Sequence, residues 1–318
     1  MLYLNVRGVK EMNQFFWNNY RRLEKEVLAL SEYIHISDDQ LQVYSSRISD
    51  LLVRTAIEFE SLAKVLYYDN GGVKPEDRDL YFDTDCMGLL ESKWLLSKKT
   101  IFVNTPYFYF SESANTTLTP LHNTFKRRKS ASKWQRAYHA VKHDRIHNLK
   151  KGNVFNLINA LGALYILNIY YRNASFSMVA DKDASNIDWG LGSEIFSVKV
   201  CPESGGASSD HIYVKKADYD ECIYLVKHTD KTAQAFIDVM TRVNKQINDQ
   251  AVNDTTQTIE TKLRIGELTA EVWKEKAQEI FNEKNSAAMK RVLEKEKFSI
   301  HKAITSLEFE AVLNTQQF

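Results

Sequence analysis

Apolar residues recur every three or four positions along two long stretches at the start of the chain. The first stretch covers about residues 9–34, and the second continues to about residue 68. This spacing gathers the apolar side chains on one face of a helix, so it predicts two long amphipathic helices. Ser37 and Gln40 have the spacing of a capping box that would begin the second helix. Gly71 can adopt the left-handed backbone conformation that ends a helix, so we expect the second helix to end there.

The middle of the chain changes character several times. Residues 78–97 favour a third helix, residues 100–110 an aromatic extended segment, and residues 132–150 a basic helix. Residues 154–171 are the most apolar stretch, but three asparagines interrupt them, which makes the stretch too polar to span a bilayer. We therefore predict a buried helix there and no membrane segment.

Helical periodicity fades over residues 173–230. Alternating apolar and polar residues predict short strands at 195–200 and 212–214, with a third candidate at 221–226. From about residue 231 the pattern is helical again, and it breaks near residues 253–254. Lys and Glu alternate along this last part, which is typical of solvent-exposed amphipathic helices.

Composition agrees with a fold made of long helices. The 318 residues include only 11 Gly and 4 Pro, well below the usual share, so turns are few. A hydrophobic content of 44% excludes a wholly disordered chain. We predict a mainly α protein with a helical bundle over residues 1–172, a small mixed α/β segment over 173–230 and a C-terminal helical region over 231–318.

The cysteines and the N-terminal residues bear on the compartment. Cys86, Cys201 and Cys222 are far apart along the chain and odd in number, which favours neither a disulfide framework nor a zinc ribbon. No histidine neighbours them in sequence, so we assign them no chemistry. The first residues lack the uninterrupted apolar core of a signal peptide. We expect a cytoplasmic protein.

Charge is distributed unevenly along the chain. Between residues 126 and 151 there are ten Lys or Arg and a single acidic residue, Asp144, although the whole chain has a net charge of +1. A basic segment in an otherwise acidic protein suggests a polyanionic partner. A solvated basic helix, or an intramolecular docking surface for the acidic remainder, remains the alternative interpretation.

Histidines cluster inside this basic segment. Three of the eight fall at i, i+4 and i+8, at His139, His143 and His147. If the whole segment is one helix, its 100° rotation per residue places them on one polar stripe with Arg136. The opposite, buried side of that helix would carry Trp134, Tyr138 and Val141.

Three interpretations of this stripe compete. Metal-free cleavage of RNA needs a base, an acid and a cation on the phosphate, which imidazoles and a guanidinium supply. Alternatively, His139 and His143 form an i, i+4 metal pair with His147 or Asp144, although nothing downstream completes a zinc signature. The third interpretation is a polar surface without chemistry.

The motif in this segment resembles that of the HEPN superfamily, all-helical domains of toxins, abortive-infection and other defence proteins. Their motif is an arginine, four to six residues and a histidine, and Arg136 and His143 have six residues between them. A strongly apolar helix follows the motif in those domains, as at residues 154–171 here. Residues 51–64 are similar to their first core helix. The resemblance covers about residues 38–172.

This resemblance implies a metal-independent endoribonuclease without a cofactor, acting in phage defence or as a toxin, with Arg136 and His143 in the cleavage site. The helical wheel, rather than the motif, adds His139 as a further proton-transfer group. Two copies of the motif meet in such domains, which implies a homodimer or a heteromer with another HEPN-like domain. RNA contacts are expected from Lys126, Arg127, Arg128, Lys129, Lys133, Lys142 and His147.

Two further expectations stay open beside this one. The domain can equally be a non-catalytic scaffold or sensor that binds nucleic acid, a nucleotide or a partner protein. Arg54 and Glu58, four residues apart, favour a local structural ion pair. Arg145 falls on the buried side of the predicted helix, where we expect it to pair with an acid such as Glu58 or Glu60.

Overall fold

The structure is a computed structural model that describes residues 14–178, 187–202, 216–269 and 272–316. Its α-helices are α1 (Gln14–Leu28), α2 (Ser46–Asp69), α3 (Gly88–Trp94), α4 (Ser113–Thr116), α5 (Lys133–His143), α6 (Arg145–Asn148), α7 (Val154–Arg172), α8 (Asp230–Arg264) and α9 (Trp273–Thr305). Its strands are β1 (Ile36–Ser37), β2 (Ile101–Val103), β3 (Phe108–Tyr109), β4 (Thr117–Leu118), β5 (Phe176–Ser177), β6 (Phe196–Val198), β7 (Val200–Cys201), β8 (Tyr224–His228) and β9 (Phe309–Leu313). The expectation of a mainly α protein is confirmed.

The chain folds as two compact units. The main unit comprises Met1–Lys227 and Glu310–Phe318, and the hairpin unit comprises His228–Phe309. The predicted boundary at residue 172 is therefore wrong. Strand β6 pairs with β2, and β5 pairs with β9, so residues after 172 and the C-terminal strand complete sheets of the main unit.

Helix α7 is the centre of the main unit. Nearly all of its residues are buried, and α1, α2 and α5 pack against it. It is long and apolar enough to cross a membrane, but 83% of its apolar window is buried inside the protein, as in a core helix. The buried side chain of Asn168 donates to the Leu164 carbonyl oxygen at 3.0 Å, which satisfies a polar group that burial would otherwise penalise.

Helix α2 begins later than the sequence predicts. Ser45, not Ser37, caps it by accepting a hydrogen bond from the Ile48 N–H at 3.2 Å. Residues 38–40 form a separate short 3₁₀ turn, so the predicted capping box is wrong. At the other end Gly71 has a φ of +88°, the left-handed conformation expected after a helix.

Among the described residues, three small sheets flank the helices of the main unit. Their strand orders are β1–β3, β4–β2–β6 and β5–β9–β8–β7. The predicted strands at 195–200 and 221–226 are present in part, as β6, β7 and β8. The predicted strand at 212–214 lies outside the described residues.

The hairpin unit consists of α8 and α9. Helix α8 runs without interruption through residues 253–254, where the sequence predicts a break, and the turn comes instead after Arg264. The ion pairs Arg242–Glu296 and Arg291–Asp254 connect the two helices. Asp254 thus faces its partner helix instead of ending its own.

A buried carboxylate ties α1 to the segment that leads into β6. Glu24 is fully buried and accepts hydrogen bonds from the hydroxyls of Tyr20 and Ser193 and from the N–H groups of residues 194 and 195. Arg21 pairs with its other oxygen at 2.7 Å. Removing such a carboxylate leaves several buried donors without an acceptor.

We expect Glu24→Ala to lower the free energy of unfolding of the main unit by roughly 3 kcal/mol, because buried hydrogen-bonded charges are costly to remove. The matched control is Glu26→Ala on the same helix, which removes the more exposed pairs with Arg47 and Arg54 and should cost less than about 1 kcal/mol. Urea unfolding followed by tryptophan fluorescence measures both. Equal losses would contradict this role of Glu24.

Candidate functional site

Helix α5 is held in a fixed orientation by its buried side chains. Ser132 and Gln135 form a capping box at its start, and the Gln135 amide also donates to the Thr124 carbonyl oxygen at 3.0 Å. The Trp134 indole N–H donates to the Pro120 carbonyl oxygen at 2.9 Å. Its ring meets Phe59 of α2 edge to face, with centroids 5.1 Å apart. The other face of α5, which carries Arg136, is therefore turned outward.

A cavity of about 860 Å³ opens beside this outward face, and we call it the basic cleft. It is formed by α2, the segment before α3, the loop that precedes α5, and α5 itself. Cationic side chains far outnumber the two carboxylates, Glu60 and Asp83. The cations that line it are Lys64, Lys126, Arg127, Arg128, Lys129, Arg136 and Lys142.

Arg127 is fixed at one wall of the basic cleft. Its Nε lies 3.0 Å from an Asp83 carboxylate oxygen, and its guanidinium lies 3.9 Å from the centroid of the Tyr81 ring. A carboxylate and an aromatic face together hold an arginine in one orientation. Arg127, one of the predicted RNA contacts, is therefore already paired within the protein.

Arg136 has no such partner. Its side chain is exposed and forms no ion pair with any residue in the described parts of the chain. It lines the basic cleft and also a second cleft of about 620 Å³, which contains Lys133, Phe155 and Asn159. Lys126 and Lys129 line both clefts as well. An unpaired guanidinium between two cationic cavities is suited to bind a phosphate group.

Arg128 adds strain to this loop. Its φ is +56°, a left-handed conformation that costs a residue with a Cβ about 1–2 kcal/mol. The side chain is exposed and lines the basic cleft. Strained backbone of this kind concentrates at functional sites.

His139 and His143 are neighbours, but only His139 lines the basic cleft. Their rings are nearly parallel, with centroids 6.4 Å apart, and His143 is exposed one turn further along α5. Burial lowers the pKa of His139 from 6.5, while the nearby Glu60 carboxylate raises it and Lys142 lowers it. At neutral pH the His139 imidazole is therefore uncharged and able to accept a proton.

The predicted stripe does not extend to His147. Helix α5 ends at His143, because Asp144 adopts φ −151° and ψ 78° and caps the separate helix α6. The Asp144 carboxylate accepts from the His147 N–H at 3.3 Å and lies 2.9 Å from its ring Nδ1. An aspartate that bonds to the backbone in this way competes with continuing a helix. His147 is thus a partner of Asp144 on the protein surface.

The predicted structural ion pairs are wrong. Arg54 makes two hydrogen bonds to Glu26 of α1, at 2.7 and 2.8 Å, rather than to Glu58. Glu58 instead accepts from the Asn19 amide at 3.2 Å. Arg145 follows the end of α5 and is exposed, and it contacts no carboxylate among the residues described.

The remaining predicted contacts divide between the two clefts. The Lys142 ammonium lies in the basic cleft and donates to the Tyr138 hydroxyl at 2.9 Å. Lys133 lines the second cleft, with its ammonium 5.5 Å from the centroid of the Phe155 ring. Lys142 and Lys133 therefore line different cavities.

The metal interpretation of the histidines gains no support from the geometry. Across the described ranges, the three potential ligands that converge are Cys201, Asp218 and Cys222, not the histidines of α5. Local sequence patterns do not reveal this cluster, because its members are separated by up to 21 residues. Only the pairing of β7 with β8 brings them together.

Comparisons with protein-family models, with curated proteins and with solved structures give no match. The geometry of the basic cleft is therefore the basis for assigning its chemistry.

The pKa of His139 provides a direct test of the basic cleft. We expect its imidazole to titrate below 6.5, since burial disfavours the charged form. Glu60→Gln should lower the pKa further, because it removes a negative charge, and Lys142→Met should raise it, because it removes a positive one. NMR titration of the imidazole C–H resonances measures all three. Shifts of the same sign in both variants would contradict the described cleft.

Proposed function

We propose that the protein is an endoribonuclease that holds RNA in the basic cleft and cleaves it without a metal ion. The observation that carries the proposal is Arg136, a guanidinium unpaired among the described residues. It lines both cationic clefts, and the basic cleft also contains the imidazole of His139, whose pKa burial lowers. A phosphodiester supplies the negative charge that these cavities lack.

In the proposed reaction three side chains carry the chemistry. His139 accepts the 2′-hydroxyl proton as the 2′-oxygen attacks phosphorus. The bond to the 5′-oxygen then breaks, and that oxygen takes a proton from a His143 imidazolium, which becomes neutral; the ring centroids of His139 and His143 are 6.4 Å apart. Arg136 stabilises the added negative charge on the phosphate oxygens. The products are a 2′,3′-cyclic phosphate and a 5′-hydroxyl.

The resemblance of residues 38–172 to HEPN domains supports the same proposal. The six-residue spacing between Arg136 and His143 falls within their motif, and the buried helix α7 comes after the short helix α6. In the proposal the main unit is a HEPN-like bundle, and the protein is a cytoplasmic phage-defence or toxin effector. A homodimer, or a heteromer with another HEPN-like domain, follows from the same resemblance.

A second candidate function is binding without turnover. It is favoured by the position of His143, which is exposed and does not line the basic cleft. In this case the two clefts bind a nucleic acid or nucleotide, and the hairpin unit is available for a partner. The two candidates differ in one observable, the cleavage of bound RNA.

We expect the purified protein to cleave RNA in the presence of EDTA. Arg136→Ala, His139→Ala and His143→Ala should each reduce the rate by about 10²-fold or more, because each removes a charge-stabilising or proton-transfer group. Arg136→Lys should keep part of the activity, since it retains the charge but loses the planar fork. Gel analysis of a 5′-labelled RNA measures the rates.

His147→Ala is the matched control for these variants. His147 belongs to the same basic segment but pairs with Asp144 outside α5, so its loss should leave cleavage unchanged. Circular dichroism checks that every variant is folded. Equal cleavage by the wild type and the three site variants would remove the nuclease assignment, and salt-sensitive binding without cleavage would favour the second candidate.

RNA affinity should depend steeply on salt, because binding releases counterions from the phosphates. Arg128→Ala and Lys129→Ala should each weaken binding and reduce the slope of log K against log salt by about one. Lys93→Ala is the control, since this exposed lysine on α3 lines neither cleft. Fluorescence anisotropy with a labelled RNA measures the slope. An unchanged slope in both cleft variants would place RNA elsewhere.

A further inference from the structure

Two thiols and a carboxylate converge at the edge of the four-stranded sheet in the main unit. Cys201 ends β7, Cys222 lies two residues before β8, and Asp218 precedes the turn Tyr219–Glu221. Their potential ligand atoms all lie within 4.8 Å of one another. Both cysteines are fully buried and Asp218 is half-buried, so the carboxylate lies on the solvent side of the cluster.

The segment that carries Asp218 and Cys222 is held rigidly. The buried Lys99 ammonium donates to the carbonyl oxygens of Asp220 and Cys222, at 2.9 and 3.1 Å. The buried Asn314 amide donates to the carbonyl oxygens of Tyr219 and Cys222, at 2.7 and 3.0 Å. Two side chains from distant parts of the chain therefore fix this turn, as a preorganised site requires.

The charges around the cluster suit a divalent cation. Two thiolates and a carboxylate around a divalent ion have a net charge of −1. The Lys199 ammonium lies 3.4 Å from an Asp218 carboxylate oxygen and 2.5 Å from a Glu221 carboxylate oxygen, so it offsets that charge in part.

We propose that Cys201, Cys222 and Asp218 bind one Zn²⁺ ion, with water as the fourth ligand. Zinc accepts sulfur and carboxylate ligands in a tetrahedron, at about 2.3 Å from sulfur and about 2.0–2.2 Å from oxygen. Ligand atoms that already lie within 4.8 Å of one another need only small side-chain movements to reach those distances. The site is separate from the histidines of α5, and it does not depend on the nuclease proposal.

The test uses the full-length, reduced protein after removal of metals, with Co²⁺ as a spectroscopic probe. We expect about one Co²⁺ per chain, with a thiolate-to-cobalt charge-transfer band that added Zn²⁺ abolishes by displacing the cobalt. Cys201→Ser and Cys222→Ser should lose the band. Asp218→Asn should weaken Co²⁺ binding by about tenfold or more. Cys86→Ser is the matched control, because Cys86 is equally buried but lies outside the cluster, and it should keep the band.

A second measurement needs no substitution in the core. In the wild-type protein Zn²⁺ should slow alkylation of Cys201 and Cys222, but not of Cys86, as mapped by mass spectrometry. Any of three results would overturn the proposal: Co²⁺ bound without a thiolate band, alkylation rates that Zn²⁺ does not change, or a Cys201–Cys222 disulfide in the protein isolated without reductant. The first of these would indicate oxygen or imidazole ligands instead.

Discussion

The burial of α7 on every side is the constraint on which the rest of the main unit depends. A helix without a polar face is stable in water only when other elements cover it completely. Helices α1, α2 and α5 supply that cover, and each therefore turns its apolar stripe inward. In α5 the buried residues are Trp134, Tyr138 and Val141 and their neighbours. The charged residues of α5, including Arg136, consequently lie on the surface, and Arg136 and Lys142 line the basic cleft.

Charge in the basic cleft is poorly compensated by the protein itself. Seven cationic side chains and only two carboxylates line the cleft, and one of those carboxylates, Asp83, already pairs with Arg127. Cations held close together repel one another, which destabilises the folded chain. The left-handed backbone at Arg128 adds to this cost. A bound polyanion would relieve the repulsion, so under our proposal ligand binding and the stability of this region are coupled.

The sequence predicts the features that depend on local periodicity. It does not predict those that depend on contacts between residues far apart in the chain. Helix α7 and the last turn of α2 follow from apolar spacing and Gly71, and the density of Lys and Arg indicates the basic cleft. Asp144 ends α5 because its side chain accepts a hydrogen bond from the backbone N–H of His147. The spacing of apolar residues does not predict this hydrogen bond. Likewise, Arg54 pairs with Glu26 and not with Glu58, because the packing of α1 on α2 places both Glu26 carboxylate oxygens within reach of the guanidinium. Strand pairing, which brings Cys201 to Cys222, is equally invisible to local patterns.

Burial, rather than spacing in the sequence, separates the roles of the two histidines. The arginine–histidine spacing singles out His143, but His139 is the imidazole that lines the basic cleft, and under our proposal it is the proton acceptor. In the proposed mechanism His143 then supplies the opposite proton transfer from the same helix. Under our proposal a single chain supplies the cation, the base and the acid, so the proton balance of cleavage does not require a residue from a second copy. If the protein dimerises as the HEPN resemblance implies, the second chain would extend the RNA-binding surface rather than complete the reaction.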